Sequence, residues 1–362
     1  MAKVTIASNH AANTVYGSQQ LPVIDISGLL HKEGRQQVAD EIGQAAESVG
    51  FFYIANHGVG GQLISSVHRH AEQWFNQPLE HKQPYYIGWS KNHRGYVPQS
   101  EKGFYADEGS RNYEAFDLAL DLPYRDPDVT TGHPLLGPNR WPTQPGFRRI
   151  VSHYYGEMAR VGRLLAGAFE DYFGAPRGAL TDLMQKPTSQ LRLLHYLECD
   201  TPSESDMVNM GAHTDYECFT ILHQGGPGLE VLNMHGQWVP APPIPGTFAV
   251  NIGDMLETWS NGRLRSTPHR VVHLGAERYS FPYFAAFDFD ARIEPLAHLV
   301  HSQSNRYPDV IAGHHLLGQL LRDFPYLNDR YQRGRLKLSF PVPTHNPFER
   351  SKLGVSHSAE AA

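Results

Sequence analysis

From about residue 187 the chain breaks into short apolar runs separated by glycine- and proline-rich turns: SQLRLLHYL, CFTILHQ, LEVLN, QWVPAP, TFAVNIG, HRVVHLG and RYSFPYFAAF. Each run is rich in β-branched or aromatic residues. Runs of this kind at close spacing predict an all-β sandwich or barrel. No internal repeat of 20–50 residues accompanies them.

Upstream the rhythm is different. Val38, Ile42, Ala45, Ala46 and Val49 recur at helical spacing within 35–50, with Gly50 placed to end the helix. FFYIAN then reads as a strand, and 61–76 as a second helix with Leu63, Ile64, Val67, Ala71, Trp74 and Phe75 on one side. Residues 86–145 are rich in Gly, Pro, Tyr and Asn and read as long loops walling a site. The longest helical pattern is 147–174, where Ile150, Tyr154, Met158, Val161, Leu165, Phe169 and Tyr172 form a core-facing stripe. DVIAGHHLLGQLLRDF returns to helix near the end. The expected layout is a loose lead-in over 1–20, a helical layer with loops over 20–145, a β core with its closing helix over 146–335, and a polar tail over 336–362.

Composition narrows the function classes. A chain of 362 residues with 40% hydrophobic and 19% charged residues is globular and long enough to bury a sizeable core. Its net charge is -6 and it has no Lys/Arg block, which argues against a nucleic-acid partner. Two cysteines, Cys199 and Cys218, are too few for a disulfide scaffold and suit a reducing compartment. No signal-peptide core and no run of about 18 apolar residues is present, so a soluble cytoplasmic protein is expected.

The chemistry centres on GAHTDYECF at 211–219. If 213–215 is extended, His213 and Asp215 point to one face. Two imidazoles and one carboxylate make the facial triad of non-haem Fe(II) oxygenases, which leaves metal positions open for oxygen chemistry. The third ligand must come from elsewhere among 21 histidines. STPHRVVH offers His269 and His273, four apart and equivalent on strand periodicity alone. Arg278 in ERYSFPYF suits a buried carboxylate, and Ser280 and Phe284 share its strand face.

GAHTDY, NGRLRSTPHRV (261–271) and ERYSFPYF (277–284), preceded by LPVIDISGL, GFFYIANHGV, RGYVP and FDLALDLP, resemble the Fe(II)/2-oxoglutarate-dependent dioxygenases. The likeness is to the subfamily that includes isopenicillin N synthase and the plant flavonoid oxygenases, and runs in family order over roughly residues 20–335. It implies a mainly β fold with flanking helices: a double-stranded β-helix (jelly roll) core, an N-terminal helical layer and a C-terminal helix. It implies His213, Asp215 and His269 as Fe(II) ligands, with Arg278 and Ser280 on the distal carboxylate of 2-oxoglutarate and Tyr196 near the cosubstrate. Plant members usually carry Asn-Tyr-Tyr where this chain has Leu194-His195-Tyr196, so the asparagine contact is absent. Arg192 shares a strand face with Leu194 and Tyr196 and is the candidate for an anionic substrate group, with Phe284 as a second substrate contact. His57 is read as structural, and His195, between inward-facing neighbours, as pointing away from the pocket.

The implied activity is O2-dependent hydroxylation, desaturation or cyclisation of a small molecule, in secondary metabolism by the family's habit, using Fe(II) and 2-oxoglutarate. Three rivals stand beside it: an isopenicillin N synthase-like oxidase without 2-oxoglutarate, an ethylene-forming-type enzyme, and a non-catalytic jelly-roll binding protein.

Overall fold

A computed structural model describes residues 21–343 except 32, 100–111, 199–207 and 303–305, together with 346 and 348. The lead-in over 1–20, Cys199 and the polar stretch after 350 lie outside the described residues.

Two sheets face each other. Twelve strands build them: β1 (Val23–Asp25), β2 (Phe51–Ala55), β3 (Gly95–Val97), β4 (Tyr113–Ala119), β5 (Gln190–Tyr196), β6 (Val208–His213), β7 (Phe219–Gln224), β8 (Leu229–Leu232), β9 (Trp238–Pro240), β10 (Thr247–Ile252), β11 (His269–Val272) and β12 (Arg278–Ala285). The larger sheet runs β1-β2-β10-β7-β12-β5-β4-β3 and the smaller β6-β11-β8-β9. Only β1 and β2 pair in parallel; the other pairings in these two sheets are antiparallel. All seven runs anticipated as strands are strands, and the architecture is the jelly roll with flanking helices.

Strand β12 shows how the sequence separates core from cavity. Its odd-numbered side chains, Tyr279, Phe281 and Tyr283, are buried on the helix-covered outer face. There the long helix Phe147–Tyr172 packs across them: Tyr155 meets Tyr283 edge-on at 5.4 Å, and Gly162 faces Tyr283 and Ala285. The even-numbered residues Arg278, Ser280, Pro282 and Phe284 line the cavity between the sheets. Truncating a fully buried aromatic such as Phe281 to alanine should cost about 3–5 kcal/mol, so this outer face anchors the inner one. The long helix in turn packs on the helices Arg35–Ser48 and Gly61–Phe75. The first of these ends at Val49, and Gly50 follows at φ 73°, the left-handed position expected of a helix terminator.

The stretch 86–145 is not all loop. β3 and β4 extend the larger sheet beyond β5. β4 carries Glu114 and Asp117 among its buried residues, so its sequence lacks an apolar strand signature. Both acids are compensated. Glu114 receives Lys82 Nζ at 2.7 Å and Tyr96 OH at 2.5 Å, and Asp117 receives Arg192.

Of two C-terminal helices, Ala312–Asp323 and Pro325–Gln332, the first and the Phe324 that links them close one side of the cavity. Arg330 fastens them by donating to the Ser90 and Gly88 carbonyls, at 2.5 and 2.6 Å, and His93 hydrogen-bonds the Tyr326 hydroxyl.

Candidate active site

The cavity between the sheets measures about 120 Å³ and opens to solvent. At its centre, β6 ends on His213, whose register partner across the β6–β11 ladder is His269. Their rings lie 4.3 Å apart. Asp215 follows just past the end of β6, so strand geometry delivers the histidines and a turn delivers the carboxylate. The potential ligand atoms of His213, Asp215 and His269 all lie within 4.8 Å of one another, and the three residues are buried. Asp215 Oδ1 stands 3.8 Å from His213 Nε2 and 3.7 Å from His269 Nε2.

The remaining polar atoms of the trio are committed elsewhere. His213 Nδ1–H donates to the Gly211 carbonyl at 2.7 Å, and His269 Nδ1–H to Thr267 at 3.3 Å. Asp215 Oδ2 accepts from Asn251 Nδ2 at 2.6 Å and from the Thr220 hydroxyl. This arrangement fixes both imidazoles in the tautomer that presents Nε2 as a lone pair, as metal-binding histidines require. Burial alone would raise the Asp215 carboxyl; His269 and His213, with the Thr220 and Asn251 hydrogen bonds, outweigh it and hold it below the ordinary range.

One end of the cavity is cationic. Arg278 of β12 is register partner to Tyr196 of β5, and its guanidinium lies 4.0 Å over the tyrosine ring. Nη1 donates to the Gly226 and Pro227 carbonyls, at 3.2 and 3.0 Å, while Nε is buried without a partner. No carboxylate pairs with Arg278 among the described residues. Ser280 lies two residues on, facing the same cavity.

The other end is mixed. Phe284 stands six residues from Arg278 along β12, roughly 20 Å at the usual strand rise. Its neighbours by register are Gln190 and Thr220, and Thr220 pairs with Asn251, the two residues that hold Asp215. Arg192 lines this region, but its Nε and Nη2 both donate to Asp117, each at 2.7 Å. Leu320, Asp323 and Phe324 close it from the C-terminal helices, and Glu217 enters it from the turn after Asp215. Burial pushes the Glu217 carboxyl up to about 8, and the Asp215 carboxylate adds to the rise.

Comparison with known proteins agrees with this geometry. Residues 21–144 match the family described as the N-terminal region of non-haem dioxygenases in morphine synthesis, and residues 187–286 match the 2OG-Fe(II) oxygenase superfamily. The 2-oxoglutarate-dependent dioxygenase tropC of Talaromyces stipitatus is 31% identical over 300 residues, 77% of this chain and 90% of that protein. A homoarginine-6-hydroxylase of Oryza sativa subsp. japonica is 32% identical over 324 residues, 84% and 97% of the two chains. The crystal structure of a 2OG-Fe(II) oxygenase family protein from Caulobacter crescentus superposes with a TM-score of 0.74 at 30% identity, covering 84% of this chain and 99% of the other. The chain belongs to the 2OG-Fe(II) oxygenase superfamily.

It is a non-haem dioxygenase that uses Fe(II), 2-oxoglutarate and O2. The donor set fits that requirement: two imidazole nitrogens and one carboxylate oxygen converge, and the orphaned Arg278 Nε offers a charged donor to an incoming acid. No helix among the described residues is long and apolar enough to cross a membrane.

The oxygenase brings His213, Asp215, His269, Arg278, Ser280, Tyr196, Arg192 and Phe284 to one cavity. His273 goes elsewhere: its Nε2 meets Asn112 Nδ2 at 2.7 Å and its Nδ1 accepts from Gly275 N. His57 stacks on Phe248, and His195 bridges Glu114 and Glu277 behind the cavity wall. Sequence reasoning missed Thr220, Asn251 and Glu217. Glu217 lies within the GAHTDYECF motif and Thr220 immediately after it, within five residues of Asp215, so that stretch could have flagged them. Nothing local marks Asn251, which reaches Asp215 only through β10–β7 pairing.

Proposed function

We propose that His213, Asp215 and His269 hold the Fe(II), and that Arg278 and Ser280 receive the distal carboxylate of 2-oxoglutarate with Tyr196 packed beneath the guanidinium. The observation that carries this assignment is the convergence of three ligand atoms whose companion atoms are already bonded to Gly211, Thr267, Thr220 and Asn251. Such outer contacts orient ligands before the metal arrives. Fe(II) with 2-oxoglutarate supplies an O2-dependent oxidation whose by-products are succinate and CO2. The chain's own residues bind, orient and shield: Arg278 neutralises a carboxylate, and Phe284, Leu320 and Phe324 exclude water from the reacting end.

The substrate is a small molecule, in keeping with the names of the relatives, and we place it in secondary metabolism. It lies beside Phe284 and the Arg192–Asp117 pair. Whether hydroxylation, desaturation or cyclisation follows depends on which substrate carbon this end of the cavity presents. The working division is 20–145 for the flanking region, 146–335 for the catalytic β core and 336–362 for the tail. We also assign the enzyme to the cytoplasm with no nucleic-acid partner, on the low cysteine count and the absence of a basic block.

The test is direct. Purified enzyme loaded anaerobically with Fe(II) and 2-oxoglutarate, then exposed to O2, should form succinate. His213→Ala, Asp215→Ala and His269→Ala should each lose Fe(II) binding and succinate formation together. Retention of stoichiometric Fe(II) in any of the three would overturn the ligand assignment.

A further inference from the structure

Six acids are buried among the described residues, and five have evident partners. Asp215 is held by Thr220 and Asn251, Asp117 by Arg192, and Glu114 by Lys82, Tyr96 and His195. Glu170 accepts from the Leu180 and Thr181 backbone, and Asp254 from Ser266. Glu217 is the exception. It is only 6% exposed and lines the cavity, yet no side chain among the described residues hydrogen-bonds or ion-pairs with its carboxyl. Beyond its own backbone N–H, nothing among the described residues satisfies this buried acid, so its place at a cavity wall calls for a ligand.

The backbone holds Glu217 in place. Its carbonyl accepts from Met255 N at 3.1 Å, while Asp254 N donates to Asp215 and Gly253 N to Cys218, each at 2.9 Å. A Cβ on Gly253 would fall 2.3 Å from the Glu217 carbonyl oxygen, so the turn sits flush against this glycine. The surrounding charge is acidic on balance. The nearby cation, Arg192, is offset by its two-point bond to Asp117. Asp323 adds a second carboxylate to the wall, accepting from the Tyr216 hydroxyl.

We infer that Glu217 is the specificity-determining residue of the substrate end and receives a protonated nitrogen group of the substrate, an ammonium or a guanidinium. This rests on the proposed placement of iron and 2-oxoglutarate, because it takes the rest of the cavity as the substrate's space. A charge-assisted bond to the bound nitrogen supplies the side-chain partner that the folded chain withholds, and fixes the substrate's orientation two residues from Asp215.

The experiment uses the full chain loaded anaerobically with Fe(II) and 2-oxoglutarate, titrated calorimetrically with n-butylguanidine and its neutral counterpart n-butylurea. The expected result is clear preference for the guanidine, reduced at least tenfold in Glu217→Gln and partly retained in Glu217→Asp, with butylurea binding unchanged. Equal binding of the two probes, or a guanidine affinity indifferent to Glu217→Gln, overturns the inference. Titrations of Fe(II) and 2-oxoglutarate on the same samples separate the two layers. Failure of the parent enzyme to bind them refutes the placement of the cofactors, whereas normal cofactor binding with indifferent probes refutes only the role of Glu217.

Discussion

Arg192 invites a substrate role from sequence, yet the structure ties it to Asp117. The two are register partners on β4 and β5, the carboxyl is fully buried, and the Arg192 side chain is 17% exposed. Replacing Arg192 by methionine keeps most of the aliphatic stem and leaves the Asp117 carboxyl buried with neither of its two 2.7 Å bonds. Breaking a buried pair from one side costs about 3–5 kcal/mol. Removing both charges, as Asp117→Leu with Arg192→Met, leaves no stranded ion, and such replacements are often neutral or stabilising. Some loss remains in the double variant, because the Arg192 guanidinium also lies over the Phe324 ring at 5.7 Å. Urea denaturation followed by far-UV circular dichroism should therefore show the single variant destabilised by about 3–5 kcal/mol and the double variant by less than about 2 kcal/mol. A single-variant loss below about 1 kcal/mol, or strict additivity across the cycle, would refute the view that this arginine is chiefly a structural counter-ion.

Arg278→Gln should raise the KM for 2-oxoglutarate on the order of a hundredfold, since losing a buried charge-assisted partner costs about 3 kcal/mol, while Fe(II) affinity measured by equilibrium dialysis stays at the parent level. Gly253→Ala forces its new methyl against the Glu217 carbonyl, at 2.3 Å, and against that of Asp215, at 3.2 Å. It should cost about 1–3 kcal/mol in thermal unfolding and weaken Fe(II) binding several-fold; wild-type values of both would contradict the tight packing of this turn. His223 is pulled down to about 4, by burial first and then by His68 and His57. Above pH 6.5 it is neutral in both folded and unfolded chains; as pH falls from 6.5 through 4 the unfolded chain takes up the proton first, so stability is lost. The parent should lose about 3 kcal/mol relative to His223→Phe over that window, read from paired urea titrations, and parallel curves for the two proteins would contradict it.

Much of this fold is legible because its strands alternate. In β12 one face is aromatic core and the other is cavity, so Arg278, Ser280 and Phe284 could be grouped from spacing alone. The choice between His269 and His273 could not. Register shifts break the β6–β11 ladder between His269 and Val272, and the strand ends before residue 273, so the period of two fails where it was needed. β4 escaped detection because its acids are stabilised by Lys82, Tyr96, His195 and Arg192 from elsewhere in the chain. Glu217 belongs to a turn, where no periodicity assigns a direction. Leu320 and Phe324 sit in an ordinary amphipathic pattern, and only tertiary packing turns that stripe into a cavity wall.

The clasp between Arg330 and the Ser90 and Gly88 carbonyls bears on the order in which the enzyme matures. Every candidate iron ligand precedes residue 270, whereas the helices that shut out water begin at Ala312. A chain emerging from the ribosome thus offers its metal cup before its cover. Loss of the last helices by a proteolytic cut would recreate that stage, with the ligands intact and the oxidising centre open to bulk solvent.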